Sequence, residues 1–306
     1  MRRTVKKSID VLGLGCAAVD DVIYVDSFPP PDSKARVQRR LRRFGGLTGN
    51  ALTAAARLGG HCAYAGCLGP DILSVAVEQN FRHEGIDTSR APRLPEAGVI
   101  HSIVIIGQDT GSRNVFYEVN GLVGAHPLWP ADDVIREAGV LFIDQYGMDG
   151  NLRAMEIARS FGVPVVADFE DEAVPHFVEA LASVDHLILS EEFAFRITGE
   201  TKPAEAARAL ARNKRATVVV TCGRNGCWCL SHEQGKQPRH FGAFPVRAAN
   251  TNGCGDVFHG AYAFRLACGD SLEKRLRFAS AAAAVKARQT EIPRLPAVKL
   301  MLRKKL

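Results

Sequence analysis

The segment Asn250-Thr251-Asn252-Gly253-Cys254-Gly255-Asp256, running on into Val257-Phe258-His259-Gly260-Ala261, decides how the chain folds. Its glycines leave backbone N–H groups open where a helix is predicted over Gly255–Cys268. Such a terminus holds a phosphate through unpaired donors and the helix dipole. Asp256 falls in the first turn, beside the phosphoryl group so held, where a carboxylate can take the proton of an attacking hydroxyl. An Asp in that position also commonly caps its helix. Spacing alone leaves both readings open.

Ahead of this segment, strand-like and helix-like runs alternate. Ile9–Gly15, Cys62–Cys67, Val140–Asp144, Val163–Asp168, His186–Leu189 and Thr217–Thr221 read as strands. Thr48–Leu58, Ile72–Glu84, Leu152–Phe161 and Ala204–Arg212 read as helices, and Ser271–Arg288 as a long apolar-faced helix near the end. This alternation predicts a three-layer α/β/α domain over 1–306 with a mainly parallel central sheet, its sites at the polar or glycine residues that end the strands.

Two interruptions carry strands without helices: Val22–Val25 with Ala35–Phe44, and Val99–Ile106 with Asn114–Val119, the last pair joined by a turn through Gly107, Asp109 and Gly111. They predict a small β-sheet lid, within about 20–44 and 97–120, over the carboxyl ends of the main strands. Lys34, Arg36, Arg39, Arg40, Arg42 and Arg43 fall on it. Strand parity puts Arg36, Arg40 and Arg42 on one face and Arg39 and Arg43 on the other. The even parity carries into Gly46, which assigns the even set to the substrate and would favour an acidic or phosphorylated one.

The segment at 250–256 resembles the second signature of the PfkB (ribokinase-like) carbohydrate kinase family, ordinarily Asp-Thr-x-Gly-Ala-Gly-Asp. The resemblance implies an anion hole at Gly253, Cys254 and Gly255 and makes Asp256 the base. Gly45-Gly46-Leu47-Thr48-Gly49-Asn50 is similar to the family's Gly-Gly-x-x-x-Asn, which holds substrate hydroxyls through Gly45, Gly46 and Asn50. Asp20 matches its substrate-binding Asp, and Thr221-Cys222-Gly223-Arg224-Asn225-Gly226 resembles its nucleotide-binding Thr-x-Gly-x-x-Gly, so Thr221, Gly223 and Gly226, with Asn252 and Ser190, are placed around the nucleotide. The resemblance implies ATP and Mg²⁺, a small-molecule sugar substrate, and a homodimer formed through the lid, whose exposed edges need cover. A kinase for a nucleoside or other small alcohol is the alternative within the same family.

Some positions depart from the pattern. The family's Asn-x-x-Glu aligns with Ser190-Glu191-Glu192-Phe193, leaving Glu191 to organise metal-bound water. Asn250 replaces the opening Asp, and Gln289-Thr290-Glu291-Ile292-Pro293 replaces a glycine-containing loop, which puts a monovalent-cation site in doubt. Ser190-Glu191 together with Gly255-Asp256-Val257-Phe258-His259-Gly260-Ala261 is also similar to sulfofructose kinases.

Other chemistries fit less well. Gly13-x-Gly15-x-x-Ala18 matches a loose dinucleotide fingerprint, but Val19, Val22, Ile23, Tyr24 and Val25 continue as strand where an NAD-binding unit needs a helix. Cys222, Cys227, Cys229 and His232 lack the paired spacing of a zinc site. The arginine run lacks interleaved aromatics beyond Phe44, so no nucleic-acid partner is expected. The net charge of +6 is modest for this length and suits an anionic small molecule as well as a nucleic acid, so charge alone does not choose between them. The basic start, Met1 to Asp10, is followed by an apolar run broken at Asp20 and Asp21, which predicts neither a signal nor a membrane span. Eight irregularly spaced cysteines then read as reduced thiols of a cytoplasmic protein.

Overall fold

The computed structural model describes residues 7–211, 215–233, 235 and 237–304. Its main sheet has eight strands: β1 (Ile9–Gly13), β4 (Cys62–Tyr64), β7 (Ala138–Asp144), β8 (Val165–Asp168), β9 (His186–Ser190), β10 (Thr217–Thr221), β11 (Cys227–Ser231) and β12 (Arg239–Phe241). They lie in the order β12-β11-β10-β9-β8-β7-β1-β4. The strands from β4 to β10 pair in parallel, whereas β11 and β12 are antiparallel additions at one edge.

Parallel strands covered on both faces need apolar residues on both, and alternate residues of β1 show this: Val11 joins one buried cluster and Leu12 the other. The first cluster lies under α1 (Leu47–Arg57), α2 (Ile72–His83), α8 (Cys254–Ala267), α9 (Leu272–Arg288) and α10 (Leu295–Leu302). The second lies under α3 (Asp132–Glu137), α4 (Met148–Phe161), α5 (Phe177–Ser183), α6 (Glu191–Thr198) and α7 (Pro203–Leu210). These are the three expected layers. The helix expected at Ala204–Arg212 runs over Pro203–Leu210, and Arg212 lies outside the described residues.

From β1 the chain goes first to β4 on one side and later to β7 on the other. Such a reversal opens a crevice at the carboxyl ends of the strands, where doubly wound sheets bind ligands. A second sheet holds β2 (Ala18–Val25), β3 (Arg39–Gly45), β5 (Ile100–Gly107) and β6 (Arg113–Val119) in the order β3-β2-β5-β6. These are the strands predicted for the lid, with β2 beginning earlier and β3 later than expected. No helix follows β1, because β2 continues it as strand; the dinucleotide reading ends there.

Two close approaches set the crevice geometry. A Cβ on Gly260 would lie 2.0 Å from the carbonyl oxygen of Ala51, so α8 and α1 touch backbone to backbone. Gly260→Val is expected to destabilise the fold by about 1–3 kcal/mol through overpacking and to lower kcat as well, because it prises Asn50 from Asp256; denaturant unfolding and steady-state kinetics check this. Gly46, which precedes α1, has φ +86° and would place a Cβ 2.8 Å from backbone atoms of Cys16 and Ala17, so no other residue fits there.

Candidate active site

At the start of α8 the helix N-cap is Gly253, which has no side-chain cap. Asp256 is therefore not the cap. Its Oδ2 instead accepts a 2.6 Å hydrogen bond from Nδ2 of Asn50, a residue 206 positions earlier. The N–H of Cys254 reaches Thr251, whereas those of Gly255 and Asp256 find no acceptor among the described residues. Two orphan donors at a helix N-terminus attract an anion, and they overlap the expected Gly253, Cys254 and Gly255 only at Gly255. A Cβ on Gly255 would meet nothing within 4 Å.

Burial, and then the negative charge of Asp168, push the Asp256 carboxyl up to about 7. A base with a pKa near working pH combines a large ionised fraction with real basicity. Asp168, at the end of β8, and His259, one turn along α8, are both buried. His259 Nδ1 faces the carbonyl oxygen of Gly255 at 2.8 Å and the Asp168 carboxylate at 3.3 Å, while Nε2 faces the carbonyl oxygen of Ile188 at 2.9 Å. The ring thus ties the start of α8 to the ends of β8 and β9.

Two cavities meet at this helix terminus. The smaller, about 240 Å³, is lined by Asp20, Arg43, Asn50, Asn252, Gly253 and Lys286 among others. The larger, about 550 Å³, runs from Thr221, Gly223 and Gly226 past Phe244 and Val246 to Cys254 and Gly255, closed on α9 by Ala283, Ala284 and Ala287. The first is polar and reaches under the lid. The second offers apolar walls to a flat ring and ends at the orphan N–H groups. Asn252, expected at the nucleotide, lines the smaller cavity instead.

Asp20 lies opposite Arg43 in the β2–β3 register and is hydrogen-bonded to Ser102; burial pushes its carboxyl up, and Ser102 and Arg43 pull it back. A Cβ on Gly45 would come within 3.0 Å of Asp20 Oδ2, so this glycine keeps the carboxylate open. Asp144, fully buried at the end of β7, accepts from Cys16 N, Thr48 Oγ1 and Tyr146 N at 2.8 to 2.9 Å and so pins the strand ends to α1.

Within β3, Arg40 and Arg42 divide from Arg39 and Arg43 by parity as expected, whereas Arg36 precedes the strand, and the odd set supplies the residue beside Asp20. Arg40 and Arg42 turn to Asp21, which also meets His101, and the hydrogen bonds from Arg42 hold the Asp21 carboxyl down at about 2. Antiparallel partners share a face, so parity is fixed by which arginine opposes Asp20 rather than by counting from Gly46.

Ser190 ends β9 opposite Thr221 and spends its hydroxyl as N-cap of α6, accepting from Phe193 N at 3.1 Å. Glu191 follows in the first turn of α6 beside Cys222, whose thiol donates to the carbonyl oxygen of Val220 and is pushed up to about 12 by burial first and by this carboxylate second. Asn250 uses its side-chain oxygen to accept from Asn252 N at 2.8 Å. Arg57 binds Glu84 and the carbonyl oxygen of Ile292, fastening the loop after α9 to α1. The eight cysteines are unpaired, and no group of His, Cys, Asp and Glu among the described residues could hold a metal by itself.

Lys286, Asp144, Ser102 and His259 were not singled out from the sequence. Asp144 had a signal, a carboxylate closing a predicted strand. Lys286 had one too, a lysine on the apolar face of α9 beside Ala282 and Val285.

The model of the pfkB family carbohydrate kinases matches residues 6–293. A ribokinase of Haemophilus influenzae is 27% identical over 299 residues, covering 94% of this chain and 96% of that protein. A ketohexokinase of Mus musculus is 26% identical, covering 88% of this chain and 92% of that one. The structure of Arabidopsis thaliana ribokinase complexed with ribose and ATP superposes with a TM-score of 0.83 at 22% identity, over 97% of this chain and 99% of that one. A cradle at a helix N-terminus, a carboxylate beside it, and a family match over almost the whole length agree, and the chain belongs to the pfkB family of carbohydrate kinases, with the ribokinase-like fold.

Proposed function

We propose that this sugar kinase transfers the γ-phosphate of ATP to a hydroxyl of a sugar or sugar derivative held in the smaller cavity, with Asp256 as general base. The observation that carries the reading is the convergence on one helix terminus of Asp256, Asn50 and two orphan N–H groups, between an apolar cavity and a polar one. Adenine suits the walls at Phe244, Val246 and Ala283, with the triphosphate running past Gly223 and Gly226 towards Gly255. The acceptor hydroxyl suits the space among Asp20, Gly45, Asn50 and Asp256, where carboxylates accept from sugar hydroxyls and the Asn50 amide orients the base.

Mg²⁺ fits as a passenger on the nucleotide. This ion keeps several waters and binds through one or two carboxylates plus substrate phosphates, so it needs no protein cage. Glu191, beside the Cys222–Gly226 loop, is the carboxylate we assign to its water shell. When bound, the ion neutralises charge on the phosphate oxygens.

Arg43 is a half-buried cation at the sugar cavity and gives the site its preference for a substrate carrying a phosphate, carboxylate or sulfonate. The lid strand β6 exposes Val115, Phe116, Tyr117 and Val119, and we assign a second copy of the chain as their cover. No helix among the described residues is long and apolar enough to cross a membrane, and free thiols suit the reducing cytoplasm we infer.

An ADP-release screen across neutral sugars, sugar acids, sugar phosphates and nucleosides tests the reading; turnover confined to nucleosides would replace the sugar with the alternative acceptor. On the best substrate, Asp20→Ala is expected to raise KM strongly with little change in ATP affinity. On an anionic substrate, Arg43→Ala is expected to lower kcat/KM by about 10- to 100-fold and Arg40→Ala by little, since a buried charge-assisted contact outweighs a solvated one. Equal small effects would remove the anionic group from the proposal.

A further inference from the structure

Lys286 stands in the last turn of α9 with only 5% of its surface exposed. A lysine so enclosed is ordinarily paired, because an uncompensated charge is costly to desolvate, unless its ammonium opens into a cavity. Among the described residues Lys286 has neither an ion-pair partner nor a hydrogen-bond acceptor; it lines the smaller cavity. Its Cε lies 3.9 Å from the point a Cβ on Gly253 would occupy, and Asp256 Oδ2 and Asn50 Nδ2 lie 3.7 and 3.8 Å from that point. On the same helix, Ala283 and Ala287 face the nucleotide cavity. The Lys286 side chain thus reaches the start of α8 beside Gly253, Asn50 and Asp256, on the polar-cavity side of the helix terminus whose other side faces the nucleotide cavity. Burial lowers its pKa, with Arg43 acting in the same direction and Cys254, Asp256 and Glu291 acting against both.

We propose that Lys286 is a catalytic residue that binds the phosphoryl group in transit between nucleotide and sugar, as a cation tethered to the fold. This rests on the reading of α8 as the phosphate cradle. In the step, the acceptor oxygen forms a bond to the γ-phosphorus and its proton goes to Asp256. The bond from the γ-phosphorus to the bridging oxygen breaks, and ADP leaves with the electron pair. Lys286 keeps its proton throughout and offsets the charge on the non-bridging oxygens, as fixed donors in a water-poor site do. A cation on a flexible stem can follow the group across the junction, which the rigid N–H donors cannot.

The test compares β,γ-methylene-ATP with ADP, which differ by the γ-phosphoryl group. Calorimetry with Mg²⁺ should show Lys286→Met losing about 10- to 100-fold in affinity for the analogue, as expected for one charge-assisted hydrogen bond, with ADP affinity kept within about twofold. Its kcat should fall by at least as much while the KM for sugar stays nearly unchanged, and Lys286→Arg should recover part of both. Should Lys286→Met not fold, Lys286→Arg assigns the lysine ¹³Cε resonance of the wild-type protein, which should move on adding the analogue and not on adding ADP. Unaltered discrimination between analogue and ADP in Lys286→Met, or an equal shift with both ligands, would overturn the proposal. A loss falling only on the KM of anionic sugars would reassign Lys286 to the substrate. Asp256→Asn keeps the cation and should keep the discrimination, so failure of the base assignment is read separately.

Discussion

Asp256→Asn is expected to lower kcat by about 10²–10⁴-fold while ATP binds nearly as in the wild type. The amide has the shape of the carboxylate and cannot accept the acceptor's proton. Asn50 donates its Nδ2–H to Oδ2 at 2.6 Å, so an amide oxygen at that position preserves the bond and the variant should fold. The same carboxylate sets the pH dependence. Its pKa is pushed up to about 7, so below that pH it is increasingly protonated and cannot act as base. The acidic limb of kcat/KM is therefore expected near pH 7, with activity rising through it. Turnover near the wild-type level in folded Asp256→Asn would mean that another group, or no group, takes the proton.

Gly255→Val is expected to reduce kcat/KM for ATP by about 10²-fold or more, the cost of losing a donor aimed at developing charge. The change should be nearly silent in stability, within about 1 kcal/mol, since a valine is no worse than glycine inside a helix and a Cβ there meets no atom within 4 Å. That empty space is the nucleotide cavity. The side chain would stand where the phosphates approach the N–H groups of Gly255 and Asp256, so the fold tolerates what the ligand does not. Thermal unfolding and ATP kinetics on the same preparation separate the two effects. Normal ATP kinetics in a folded Gly255→Val protein would remove this helix terminus from phosphate binding.

Much of this protein was legible in one dimension. The alternation of β-rich and helical runs from Ile9 to Thr221 determined a parallel sheet covered on both faces, because a strand buried twice must be apolar twice. The strands without crossovers determined a second sheet, since parallel partners need long connections that those segments lack. Glycines 253 and 255 marked the helix terminus, and Asp256 its first turn, because such a cradle requires residues that leave N–H groups bare.

What the sequence left open depended on distances between residues far apart in the chain. Whether Asp256 caps its helix was undecided by spacing; Gly253 is the N-cap, and Asp256 instead accepts from Asn50, brought in where Gly260 lets α8 lie on α1. Parity split Arg40 and Arg42 from Arg39 and Arg43 but could not tell which pair shares a face with Asp20, because that is fixed by the register between β2 and β3. Lys286 looked like one more lysine near the end of a helix. Only the packing of α9 against the start of α8 makes it an enclosed lysine that lines the polar cavity with no ion-pair partner among the described residues, since burial and isolation are properties of the surroundings that three dimensions assemble around a residue.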